Sequence, residues 1–203
     1  MVWILIEVWR HLSSHWMAPQ FQPPTGAVET RPLLSGRYLR VGASLCGGAA
    51  YAWLNRTVRG WLAEFRVSVD EGTVYEQLNR LAMGAETSTG LRVRTTFLGV
   101  RGDPTIKAGA IEGITLENLR LGALARATLS GMVDELAGLY HSQSSKALHH
   151  RRVVAAGGGI WANPLLPGLI EERFGLPVQV LPQREAAAAG AAMLAAGLVP
   201  GYP

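Results

Sequence analysis

Residues 152–163 read Arg-Val-Val-Ala-Ala-Gly-Gly-Gly-Ile-Trp-Ala-Asn. The run from Val153 to Ala156 is apolar without alternation and is bounded by glycine, which suits a short strand buried on both faces. Gly157-Gly158-Gly159 then make a tight turn, where the absent Cβ lets a ligand touch the backbone. A helix is predicted over 163–174, with Pro164 in its first turn, where a missing N–H costs little. Pro167 also falls early in it, and Gly175 caps it. Residues 176–181 (Leu-Pro-Val-Gln-Val-Leu) read as a second strand, and 185–196 as an alanine-rich helix with Gly190 in its middle. Strand, glycine turn, helix, strand, helix predicts a parallel βαβα unit with a right-handed crossover. In such sheets ligands bind beyond the carboxyl ends of the strands, where this glycine turn falls. Asn163 offers both donor and acceptor groups, enough for an adenine or ribose edge. The same residues also fit a plain tight turn with Asn163 as a helix cap. The segment has neither the Gly-Lys-Ser/Thr of a Walker loop nor the spacing of a dinucleotide fingerprint.

Upstream, residues 37–45 alternate as a strand would, through Tyr38, Leu39 and Val41. Gly47-Gly48 lead into a predicted helix over 49–65, with Trp53, Leu54, Val58, Trp61, Leu62 and Phe65 at helical spacing. Both tryptophans are therefore expected in the core. A second helix is predicted over 71–85 and a strand over 91–98. A loop follows to about residue 113. Thr115 is the expected N-cap of a long helix ending near His141, with Leu119, Leu124, Leu129, Met132, Val133, Leu136 and Tyr140 on its apolar stripe. Residues 17–36 are rich in Pro, Gly, Thr and Ser and read as a linker. Residues 1–16, with Trp3, Trp9 and Trp16, read as a weak helix. The division drawn is an arm and linker over 1–36 and a lobe over 37–200.

Bulk properties fit one domain with an extra arm: 203 residues, 48% hydrophobic and 17% charged. The formal net charge is +4. Its arginines are scattered, and no basic run exceeds His149-His150-Arg151-Arg152, which reads as an exposed lead-in to a strand. A nucleic-acid partner is not expected, whereas an anionic ligand would suit the charge. The single cysteine, Cys46, excludes an intrachain disulfide and points to a reducing compartment. It reads as a small buried group rather than a nucleophile. The five histidines show no His-Glu-x-x-His pattern. The apolar start is broken by Glu7 and Arg10 and is too short to span a bilayer. A cytoplasmic protein without a membrane segment is the simplest expectation.

Three motifs occur in a telling order: Gly157 to Asn163, then Gly175-Leu176-Pro177-Val178, then Glu185-Ala186-Ala187-Ala188-Ala189-Gly190-Ala191-Ala192. Together they resemble the end of the FGGY carbohydrate kinases, in which a Gly-Gly turn and nearby Asn precede a "GLPV" strand and an "EAAAxGAA" helix. Residues 37–48 look like the sedoheptulokinase branch, with Cys46 where that branch has Asn. Residues 97–104 are similar to its "LGER" loop and to the "GxGAPYWDP" loop of the wider family. Residues 17–23 look like its connecting loop. The resemblance covers about residues 17–197 and leaves 1–16 without a counterpart.

The resemblance implies an α/β fold of the actin-like or ribonuclease-H-like ATPase kind, as the C-terminal lobe of a two-lobe sugar kinase. It implies ATP and Mg²⁺ as cofactors and phosphorylation of a ketose, sedoheptulose to its 7-phosphate. It implies that Gly157, Gly158 and Asn163 hold adenosine and that Gly99 gives room to the phosphates. The family's "GDxQ" base and "DxGT"-like turn have no match here. The aspartates are Asp70, Asp103 and Asp134. Asp70 and Asp134 read as surface charges, and Asp103 as a turn residue or a group facing the phosphates. No catalytic or metal-binding residue is therefore assigned, and the lobe alone is expected to be inactive. The unmatched residues 1–16 would leave a sheet edge and lobe face exposed, inviting self-association. The alternative reading is a non-catalytic nucleotide-binding or interaction module from a truncated or spliced product.

Overall fold

A computed structural model describes residues 3–8, 12–18, 20–33, 36–103, 105–106, 108–143 and 150–198. The elements run β1 (Trp3–Val8), β2 (Leu12–Ala18), β3 (Val28–Pro32), β4 (Tyr38–Ala43), α1 (Ala49–Glu64), α2 (Glu71–Met83), β5 (Arg92–Arg94), β6 (Ala110–Glu112), α3 (Leu121–Gln143), β7 (Arg152–Ala156), α4 (Gly158–Ala162), α5 (Leu166–Phe174), β8 (Val178–Val180) and α6 (Ala186–Ala195). Six strands form one sheet in the order β3-β4-β2-β1-β7-β8, and β5 pairs with β6 apart from it. β7 lies parallel to β1 on one side and to β8 on the other, while β1, β2, β4 and β3 pair antiparallel. Val153 to Ala156 are all buried, so β7 is covered on both faces as its apolar run requires.

The amino-terminal arm departs from expectation. Residues 3–8 and 12–18 are strands, not a helix, and β1 fills the sheet between β2 and β7. The run Trp-Ile-Leu-Ile-Glu-Val is rich in β-branched and aromatic residues, which suit a pleated sheet better than a helix. Widely spaced tryptophans obscured that propensity. The expected open edge is thus closed; among the described residues the sheet ends at β3 and β8. The sheet also runs through the division drawn at residue 36, because β3 pairs with β4 across it. Buried Arg40 on β4 ties down the linker by donating to the carbonyl oxygens of Gln22 and Pro23 and to the hydroxyls of Thr25 and Thr30.

Four local expectations are also revised. The long helix begins at Leu121 rather than at Thr115, so Leu119 lies ahead of it and is exposed rather than on its apolar stripe. The Thr115 hydroxyl accepts from the N–H groups of Glu117 and Asn118, and buried Asn118 donates to the carbonyls of Thr89 and Gly113. That closes a turn ahead of the helix. The helix expected over 163–174 starts at Leu166, and a short helix, α4, occupies 158–162 where only a turn was expected, with Asn163 extended between them at φ −131°. Asn163 precedes Pro164, whose ring disfavours a helical conformation at the residue before it. Trp61 is 54% exposed, while Trp53 is half-buried with its ring 4.8 Å from that of Phe97. The buried face of α1 is Ala50, Tyr51, Leu54, Asn55 and Val58, which keeps Leu54 and Val58 of the expected stripe while Phe65 is exposed. His150 is buried rather than exposed, its Nδ1 sharing a 2.6 Å hydrogen bond with the Tyr140 hydroxyl.

Helix α3 is the central support. Leu129, Met132, Val133 and Leu136 are each buried to 2% exposure or less, and burying each such side chain contributes about 1.5–3 kcal/mol. It packs closely against β5. A Cβ on Gly131 would lie 1.9 Å from the Val93 carbonyl oxygen, so no side chain fits there. Gly138, two turns on, has open space around it. Gly131→Ala is expected to destabilise the fold by about 1–3 kcal/mol through overpacking. Gly138→Ala should stabilise it by up to about 1 kcal/mol through helix propensity. Urea unfolding of the two variants checks both signs.

Candidate nucleotide site

A cleft of about 850 Å³ opens between α1, α2, α3 and α4. Tyr51 and Ala52 come from α1, Tyr75 and Asn79 from α2, and Gly158 and Gly159 from α4; Leu129 and Met132 of α3 also line it. The volume falls within the range of small-molecule sites, roughly 300–1,000 Å³. Arg56, Glu71 and Glu76 supply charge to its lining.

The cleft's shape is set by hydrogen bonds across three helices. Asn79 Oδ1 accepts from the Tyr51 hydroxyl at 2.9 Å and from Asn163 Nδ2 at 2.8 Å. Asn79 Nδ2 donates to the Ala162 carbonyl at 2.9 Å. Asn163 Oδ1 accepts from the Leu165 N–H at 3.0 Å. The ring centroids of Tyr51 and Tyr75 are 6.0 Å apart and tilted by 31°. Burial pushes the Tyr51 phenol well above the ordinary tyrosine range, so it stays a neutral donor.

These facts locate each residue expected at the site. Gly158 and Asn163 line the cleft. Asn163 is only 4% exposed, and its amide works mainly within the protein, joining α4 to α2. Gly157 turns the chain from β7 into α4 at φ 97°, a region that L side chains rarely adopt. Gly99 is buried in the loop after β5 and is not among the residues lining the cleft. Its φ is 87°, and a Cβ there would lie 2.9 Å from the Ile106 carbonyl oxygen, so the turn itself requires glycine.

The aspartates are engaged elsewhere. Asp70 caps α2 by accepting from the Thr73 N–H at 3.0 Å. Asp103 accepts from the N–H and hydroxyl of Thr105, which hold its carboxyl below the usual range. Asp134 pairs with Arg173 at 2.6 Å on the surface. Among the described residues no group of three His, Cys, Asp or Glu is placed to hold a metal ion.

Sequence reading missed Tyr51, Asn79 and Glu135. The available signal was polar or phenolic residues within an apolar face, such as Tyr51 and Asn55 beside Leu54. Glu135 lies on α3 and its Oε2 accepts from the Ser44 hydroxyl at 2.9 Å and the Thr95 hydroxyl at 3.1 Å. Burial raises its carboxyl above the ordinary range, opposed by those two hydrogen bonds. Neighbouring Cys46 is 2% exposed, as expected of a small buried group, and burial together with the Glu135 charge pushes its thiol up.

The C-terminal-domain model of the FGGY carbohydrate kinases matches residues 15–198. The chain belongs to this family. It is similar to the sedoheptulokinase of Homo sapiens, at 31% identity over 183 residues, which is 88% of this chain and 38% of that protein. It is also similar to the glycerol kinase of Trichlorobacter lovleyi, at 32% identity over 168 residues, or 81% of this chain and 31% of that one. The chain thus spans well under half the length of these curated relatives. Among solved structures, a xylulose kinase from Rhodospirillum rubrum superposes with a TM-score of 0.74 at 21% identity, covering 93% of this chain and 38% of that one. A Plasmodium falciparum glycerol kinase solved with ADP gives 0.70 at 17% identity, covering 97% and 38%. At these identities the structural likeness shows the fold, the actin-like ATPase lobe. Among the described residues no helix is long and apolar enough to cross a membrane.

The raised carboxyl of Glu135 sets a pH dependence. Its native form binds a proton more tightly than the unfolded form, so its contribution is fully present below the ordinary glutamate pKa, near 4.3. That contribution is lost as pH rises through the raised value. The neighbouring Cys46 thiol, pushed up by burial and by the Glu135 charge, stays protonated over this range. The stability of Glu135→Gln relative to the parent should therefore increase between pH 4 and pH 7.5. Urea unfolding of both proteins at each pH measures this; a constant difference would show that Glu135 titrates normally.

Proposed function

We propose that this lobe holds ATP for transfer of its terminal phosphoryl group to a ketose, sedoheptulose giving sedoheptulose 7-phosphate. The observation that carries the reading is the cleft itself: it joins the backbone of Gly158 and Gly159 to the aromatic pair Tyr51 and Tyr75 and to apolar Leu129 and Met132. Adenosine has flat apolar faces and a polar rim, and that lining complements both. The Gly158–Gly159 backbone and the remaining capacity of the Asn163 amide meet the base and ribose. Gly157 provides the turn that brings them there. Gly99 belongs to the loop assigned to the phosphates. Likeness to sedoheptulokinase supports the choice of sugar.

Phosphoryl transfer requires positioning, charge neutralisation and a group to take the hydroxyl proton. This chain's residues perform the first. Its described carboxylates do not form a metal site by themselves, so Mg²⁺ would arrive with the triphosphate, which it neutralises. The three aspartates are occupied in a helix cap, a turn and a surface ion pair. The sugar site and the catalytic base belong to the part of the relatives that this chain does not match. In a cytoplasmic setting the lobe would act as part of the whole kinase.

A second reading, a non-catalytic nucleotide-binding or interaction module, is favoured by α6. This helix is almost wholly apolar yet has no buried residue, and Met193 is 48% exposed. Such a face suits another protein surface, including a second copy of the chain.

Calorimetry with ATP and a coupled sedoheptulose kinase assay test the main reading together. Weak ATP binding without turnover is expected. Gly158→Val should abolish binding, because its side chain would project where the backbone meets the ligand. Asn79→Ala should weaken binding about tenfold and destabilise the fold by about 1–3 kcal/mol, since it strands buried polar partners. Turnover by the chain alone would overturn the assignment of the base elsewhere. Unchanged ATP binding by Gly158→Val would overturn the site.

A further inference from the structure

Two loops, one leading into the cleft and one carrying Gly99, both end on one carboxylate oxygen. The first loop follows β4. Its Ser44 hydroxyl donates its single hydrogen to Glu135 Oε2 at 2.9 Å. Ser44 Oγ in turn accepts from the N–H groups of Cys46 at 3.1 Å and Gly47 at 3.0 Å. A hydroxyl has one hydrogen and two lone pairs, so this one is fully used. The next residues, Gly48 and Ala49, line the cleft and open α1.

The second loop follows β5. Its Thr95 hydroxyl donates to the same Glu135 Oε2 at 3.1 Å. From there the Thr95 carbonyl accepts from the Phe97 N–H at 2.8 Å, and the Thr96 carbonyl accepts from the Gly99 N–H at 2.9 Å. The turn carrying Gly99 is thus built directly on the anchored residue. Phe97 packs on Trp53 of α1, so the second loop also rests on the helix that the first loop opens. Ser44 and Thr95 are both buried, at 3% and 2% exposure, where an unmatched hydroxyl would be costly.

We propose that Glu135 is a positioning residue for nucleotide binding: by accepting from Ser44 and Thr95 it fixes the Ser44–Gly48 turn and the Thr95–Gly99 loop relative to each other. Glu135 does not line the cleft, so it acts through the loops rather than on the ligand. The function requires an acceptor oxygen of the right reach and not a negative charge; a glutamine amide oxygen can serve. The proposal rests on the reading of the cleft as an ATP site.

Glu135→Ala, Glu135→Gln and Ser44→Ala are compared with the parent by ATP calorimetry and by hydrogen exchange at the Cys46 and Gly47 amides. Glu135→Ala and Ser44→Ala are expected to exchange at least about tenfold faster at both amides and to bind ATP about tenfold more weakly. Glu135→Gln should stay within about twofold of the parent in both measurements. Parent-like exchange and affinity in Ser44→Ala, which removes a single oxygen and spares the core, would overturn the proposal even if Glu135→Ala failed to fold. Glu135→Gln behaving as badly as the alanine variant would overturn it as well. If the parent binds no ATP, the cleft reading fails by itself, and exchange at Cys46 and Gly47 still decides whether Glu135 anchors the turn.

Discussion

Everything in this lobe hangs on the parallel pairing of β7 with β1 and β8. A parallel strand has no hairpin to hold it, and its neighbours must be brought in by crossover connections. Such a strand is stable only with both faces covered, and Val153, Val154, Ala155 and Ala156 are all buried. Helices must therefore pack on each side of the sheet, and a cleft arises where β7 stops and its chain turns into α4. Gly157 makes that turn at φ 97°. A residue with a side chain there would strain the one place where strand, helix and cleft meet. The position of the Gly158–Gly159 backbone is in this sense a consequence of sheet pairing.

The carboxyl-terminal third of the fold was legible because each of its signals is local. An apolar run, a glycine triplet, an αL cap at Gly175 and an alanine-rich helix each announce themselves within a few residues. The amino-terminal strands were not legible, because β1 is defined by partners far along the chain: Trp3 lies opposite Arg152 and Glu7 opposite Ala156. A short apolar segment reads equally as helix or strand until its neighbours are known. The break at Asn163 was legible in principle, since Pro164 marks it, but the glycine triplet drew the helix start one element too late. The candidate site divides in the same way. Gly158 and Asn163 stand in one motif, whereas Tyr51 and Asn79 are 28 residues apart and Ser44 and Glu135 are 91 apart. No local pattern links such pairs.

Polar side chains here chiefly shape the cleft. Asn79 uses its carbonyl oxygen on Tyr51 and Asn163 and its amino group on Ala162. A buried network of this kind is rigid when every member is satisfied and destabilising when one is removed. That rigidity matters for binding, because a cleft held in its bound shape avoids the ordering cost that a loose one incurs. The apolar lining then supplies contact area, and the glycine backbone supplies close approach. Asn163, whose position in the motif suggests a ligand contact, is better understood as part of the frame with limited capacity left for a ligand.

The same logic fits the proposal that the lobe holds the nucleotide rather than reacts. A catalytic base must present a carboxylate or imidazole to the acceptor hydroxyl at hydrogen-bonding distance. The carboxylates with defined partners in this structure are turned to local tasks: Asp70 to a helix cap, Asp103 to a turn, Asp134 to an ion pair, Glu135 to two hydroxyls. His150 is buried and bonded to Tyr140. Each of these groups would have to surrender a structural bond before accepting a substrate proton. A lobe whose aspartates and Glu135 are committed to its own architecture suits the proposed role of nucleotide carrier. On the proposed function, chemistry at the acceptor hydroxyl then needs groups whose only structural demand is to face it.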